Sequence, residues 1–122
     1  MNNYESTAVY HSDCYPGVWF RVKRMSLGRR LQLATQLGEL LSKQEFLLSS
    51  ERVVDKAEAG RLALEIDRQF IKWGLVEIGG VEIDGSLPGI DTVIEAGPEA
   101  LVREVVAAIR RECGLTEDER KN

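Results

Sequence analysis

At 122 residues, 43% hydrophobic and 30% charged, the chain has the length of one domain and a composition that disfavours disordered and fibrous classes. No apolar run approaches the roughly 20 residues of a membrane span, and Met1 to Asp13 lacks a charged-then-apolar leader, so no membrane association and a cytoplasmic location are expected. The formal net charge of −4 argues against general nucleic-acid binding, but it is unevenly spread: residues 1–73 carry 11 basic and 9 acidic side chains, residues 74–122 carry 5 and 11.

Met1 to Gly17 reads as a polar lead-in closed by the turn pair Pro16-Gly17, with residues 1–16 expected to be flexible. Val18-Trp-Phe-Arg-Val-Lys-Arg24 then alternates, Val18, Phe20 and Val22 on one face and Trp19, Arg21 and Lys23 on the other. That is the period of a half-buried strand. Ser26 has the chemistry of a helix N-cap. After it, Leu27, Leu31, Ala34, Leu37, Leu40, Leu41, Leu47 and Leu48 carry an apolar stripe through a helix of about five turns. Gly28 and Gly38 each weaken it by roughly 1 kcal/mol relative to alanine. Ser49-Ser50 marks a break or a re-cap. A second long helix is expected from Glu51 to Trp73, paired antiparallel with the first.

Gly74 is placed to stop that helix in a left-handed conformation. Leu75–Ile78 and Val81–Ile83, separated by Gly79-Gly80, read as a two-residue β-hairpin. Ile90 to Ala96 reads as a short helical turn with Asp91 as its cap, ended by Gly97. A third main helix begins at Pro98 and stops before Gly114, following the positional asymmetry of those residues. Thr116-Glu-Asp-Glu119 fits a capping box, but so little follows that 116–122 is expected to fray. The predicted fold is α+β: one domain over 17–115, three main helices, and a small antiparallel sheet made of one N-terminal strand and the central hairpin.

No arrangement of residues singles out catalysis, so a non-enzymatic role with no cofactor is expected. His11, the only histidine, falls in the lead-in, where a catalytic constellation is poorly held. Glu77, Glu82, Asp84 and Asp91 lack the rhythm of a calcium loop, and the glycines lack the spacing of a phosphate cradle. Cys14 and Cys113 have neither disulfide-framework nor zinc spacing. What remains is surface. Arg21, Lys23, Arg24, Arg29 and Arg30 crowd into ten residues beside Trp19, a pattern open to nucleic acid or to protein. The protein-binding candidates are Trp19, Arg21, Lys23, Arg29, Arg30 and Trp73, the last weighed against a plain core role.

The segment Gly17-Val-Trp-Phe-Arg-Val-Lys-Arg-Met-Ser-Leu-Gly-Arg-Arg-Leu31 resembles the opening of small tail assembly chaperones of tailed bacteriophages and prophages. The run from Ile66 through Trp73-Gly-Leu-Val-Glu-Ile78 to Asp84-Gly85 is similar to their middle. The helix Gly97 to Ile109 is similar to their later part. The resemblance spans most of 17–119 as a pattern of residue types, without a catalytic signature. It implies a helper in the bacterial host cell that binds the tape-measure protein and the tail-tube protein during tail assembly and then leaves. A head–tail connector or other minor structural phage protein is the alternative within that setting, and self-association stays open.

Overall fold

The computed structural model describes residues 1–115; the frayed end expected for 116–122 lies outside them. Among the described residues the architecture is α+β, with four helices and one three-stranded antiparallel sheet. The strands are β1 (Thr7–His11), β2 (Trp19–Lys23) and β3 (Leu75–Gly79), in spatial order β1-β2-β3. The helices are α1 (Leu27–Leu48), α2 (Val53–Gly74), α3 (Ile90–Ala96) and α4 (Glu99–Glu112). No described helix is long and apolar enough to cross a membrane. The described residues fall into two compact units. One comprises Met1–Met25 with residues 70–115, the other Ser26–Gln69.

In the sheet-bearing unit, β2 is central and its alternation is as expected: Phe20 and Val22 are buried, Trp19, Arg21 and Lys23 partly exposed. Its inner face packs against α4. Leu101, Val105, Ala108 and Ile109 recur on one side of α4 and are buried. Tyr10 of β1 stacks on Phe20, with ring centroids 5.9 Å apart.

Four expectations are corrected in this unit. The supposedly flexible lead-in contains β1, paired with β2 from Thr7↔Lys23 to His11↔Trp19. Only the first arm of the expected hairpin is a strand. Gly79 and Gly80 are not its turn: the ideal Cβ of Gly79 would sit 2.5 Å from the Trp19 ring, and that of Gly80 2.1 Å from the Gly17 carbonyl oxygen. Both glycines therefore let β3 run close beside the start of β2. The tight reversal comes later, at Asp84-Gly85, where φ is +54° and +81° and Ile83 bridges Ser86. Gly74 is the last residue of α2 and has no positive φ; a Cβ there would meet Ile109 at 2.8 Å. Asp91 lies in the first turn of α3 rather than capping it, the cap position being Gly89.

In the helical unit, the Ser26 hydroxyl accepts from the Arg29 amide and opens α1. Ser50 performs the re-cap, accepting from the Arg52 amide at 3.1 Å and donating to Asp55 at 2.7 Å. The two helices pack through Leu40 and Leu47 of α1 against Ala59 and Leu62 of α2.

Candidate protein-binding surface

The outer face of the sheet carries three of the six expected contact residues. Trp19, Arg21 and Lys23 project from it together because a strand sends alternate side chains to one side. Trp19 lies flat across Gly79, which lacks a side chain to lift it. Arg21 is held from both neighbouring strands, donating to Glu77 at 2.8 Å and to the Thr7 hydroxyl at 3.1 Å. Lys23 sits 5.5 Å above the Trp73 ring. The face is thus a fixed arrangement of one broad aromatic surface and two cations. Arg21 is locally neutralised by Glu77, which weakens it as a phosphate contact.

The other three residues are placed differently. Arg29 and Arg30 belong to the first turn of α1, in the helical unit. Trp73 is buried, so it offers its ring to Lys23 and not to a partner; its indole N–H finds no acceptor among the described residues. Its helical spacing after Ile66 and Phe70 favoured a core role over a surface one, and the burial agrees.

Sequence reasoning missed a second cluster, where the β1–β2 connection meets α4. Glu104 accepts from the Ser12 hydroxyl and, at 2.7 Å, from the Asp13 amide. Burial opposes ionisation of Glu104, but the hydrogen bonds from Ser12, Asp13 and Cys14 outweigh it and hold its pKa below the ordinary carboxylate value. Beside it, the Tyr10 hydroxyl donates to Glu112 at 2.5 Å. Burial, then the hydrogen bond to Glu112 and that carboxylate's charge, push Tyr10 up to about 12. These groups flank a shallow depression of about 180 Å³, lined also by His11 and Arg111.

The chemistry of this cluster is anchoring. Ser12, the hydroxyl next to His11, donates to Glu104 and accepts from the Tyr15 amide, so His11 is not set as its base. Among the described residues no three His, Cys, Asp or Glu side chains gather as a metal site. Glu104 lies more than 90 residues from the loop it holds, a link no local pattern announces.

The anchoring has a pH signature. A carboxyl whose folded pKa is depressed contributes stability above its unfolded pKa, about 4.3 for glutamate, and that contribution is lost as pH falls through the folded value. Glu104→Gln should lower the urea midpoint at neutral pH and flatten its decline between about pH 5 and 3. Parallel acid limbs in wild type and variant would dismiss Glu104 as the titrating anchor.

The helical unit presents a different surface. Leu27, Leu31, Phe46, Leu48, Val53 and Leu64 are each more than half exposed. Side chains of this size are ordinary when scattered singly, but contiguous apolar stripes mark interaction sites. On α2, Val53, Ala57, Gly60 and Leu64 follow one another at helical spacing, all exposed.

The chain was compared with known proteins in three ways: no family model matches it, no curated protein matches it, and no solved structure matches it.

Proposed function

We propose that the chain is a non-enzymatic tail assembly chaperone of a phage or prophage, which transiently binds tape-measure and tail-tube proteins in the host cytoplasm. The supporting observation is the apolar surface exposed on the helical unit, above all Val53, Ala57, Gly60 and Leu64 of α2. Such a stripe has the form of a surface that receives an amphipathic helix, the shape expected of a long helical client. The sheet face, with Trp19 over Gly79 beside Arg21, supplies an aromatic-and-arginine contact of the kind concentrated at interface hot spots. Two separate faces suit a helper that brings two structural proteins together.

The test is capture of a purified tape-measure fragment or tail-tube subunit by immobilised protein. Val53→Ser/Leu64→Ser should weaken capture of the helical fragment by about tenfold or more, since hot-spot losses reach about 2 kcal/mol. Trp19→Ala/Arg21→Ala should do the same for one of the two partners. The thermal midpoint should move little in Val53→Ser/Leu64→Ser, whose side chains are exposed. Trp19→Ala/Arg21→Ala should lower it by a few degrees, because Trp19 covers Gly79 and Arg21 ties β2 to both neighbours, so its capture is read well below the midpoint. Capture unaltered by both double substitutions would remove the proposal's physical basis.

A further inference from the structure

We propose that α1 carries a dimerisation seam, and that its occupant is α1 of a second copy of this chain, lying antiparallel. Leu27, Leu31, Ala34, Gly38, Leu41, Glu45 and Leu48 follow one another at steps of four and three residues along the whole helix. Every one of these positions is exposed, with the leucines at 81%, 64%, 41% and 59% in chain order. Steps of four and three repeated over three heptads are the pattern of a two-helix coiled coil. The seam runs alongside the side of α1 that buries Leu33, Leu37 and Leu47, meeting it where Leu37 adjoins Leu41 and Leu48, so one edge of the apolar stripe serves the chain's own fold and the other is left for a neighbour.

Two further observations say what the neighbour is. Gly38 sits at the middle of the seam, and a Cβ there would meet nothing within 4 Å. Among the described residues nothing packs where the Gly38 side chain would be, so a helix crossing closely at the centre accounts for a helix-weakening glycine there. The charges then set its direction. The first turn of α1 has Arg29 and Arg30 and no acid; the last turn has Glu45 and no base. That order opposes the helix's own dipole. An antiparallel copy reverses the fault, bringing the arginine end of each α1 beside the Glu45 end of the other. The contact is then isologous and closes on itself. The footprint, about 33 Å long and roughly 10 Å wide, falls short of the roughly 800 Å² per partner of a long-lived interface, so the dimer is reversible.

The experiment is sedimentation of the full chain over about a hundredfold range of concentration. Wild type should pass from monomer to dimer, and Leu31→Asp/Leu41→Asp should stay monomeric with its helical circular dichroism retained. Arg30→Glu and Glu45→Arg should each weaken the dimer by about tenfold, and mixing the two variants should restore it as a heterodimer, since both charge contacts are then complementary. In a Cys14→Ser background, Leu31→Cys chains should crosslink to Glu45→Cys chains and not to one another. A monomer at every concentration overturns the proposal. So does a dimer indifferent to the leucine substitutions, or a Leu31→Cys self-crosslink, which would mean parallel helices. Should the aspartate variant fail to fold, the charge-mixing arm still decides. Val53→Ser/Leu64→Ser should dimerise normally, so failure here is distinguishable from failure of the capture proposal.

Discussion

Gly80→Ala should lower the thermal midpoint of the sheet-bearing unit by roughly 15 °C, whereas Gly85→Ala, at nearly the same φ, should lower it by only about 5 °C. The two glycines have φ of +77° and +81°, so alanine at either meets the same left-handed penalty of about 1–2 kcal/mol. They differ in surroundings. A Cβ at Gly85 meets open space, while one at Gly80 would lie 2.1 Å from the Gly17 carbonyl oxygen and 3.1 Å from the Val18 Cα. Those are backbone atoms that cannot rotate away, so the strands must separate locally, at a further cost of about 1–3 kcal/mol. Scanning calorimetry of the two variants isolates the difference. Equal losses would show that β3 does not approach β2 as closely as the Gly80–Gly17 contact requires.

That contact also shows why part of the fold was hidden. Gly79-Gly80 between β-branched runs satisfies the pattern of a hairpin turn and the pattern of close strand approach equally well. What separates them is Trp19 and Gly17, about 60 residues earlier, and no local window contains both. The true turn at Asp84-Gly85 had its own signature, an Asp-Gly pair, and was masked by the stronger-looking glycines beside it. β1 was hidden for a related reason. Ala8 and Tyr10 face inward, but neither is a strong apolar marker, and the strand is held by β2 on one side and by the Glu104 anchor of its following loop.

Features settled by neighbouring residues were legible. Ser26 caps α1 through an amide three residues on, and the start of α4 after Pro98 follows from proline's missing N–H. The candidate surface divides along the same line. Period-two alternation put Trp19, Arg21 and Lys23 on one face correctly. Trp73 continues the helical spacing of Ala59, Leu62, Ile66 and Phe70, and it is buried with them. On α1 the sequence showed one broad apolar stripe. Only the accessibilities divide it into a buried side through Leu37 and Leu47, which also takes in Leu33 from outside the stripe, and an exposed seam through Leu31 and Leu41.

Phe20→Ala should be the most destabilising single truncation at the sheet, at about 3–5 kcal/mol, because Phe20 is almost wholly buried on the central strand. Phe20→Leu keeps most of the volume and should lose about 1–1.5 kcal/mol, leaving a folded protein in which the consequence for Tyr10 can be read. The Tyr10 ring stacks on Phe20, and burial is the largest cause holding its hydroxyl at about 12. With the aromatic partner gone, water reaches the phenol more easily, the phenolate is less penalised, and the midpoint should fall toward the ordinary value near 10. The sign carries over to stability. A tyrosine whose folded pKa is raised contributes stability below about pH 10, and that contribution is lost as pH rises through about 12. Wild type should therefore soften in that alkaline window, and Phe20→Leu should do so less steeply. Ultraviolet titration in a Tyr4→Phe/Tyr15→Phe background reports Tyr10 alone. An unmoved midpoint in Phe20→Leu would assign the shift to the hydrogen bond with Glu112, which Glu112→Gln would then collapse by removing the carboxylate's charge.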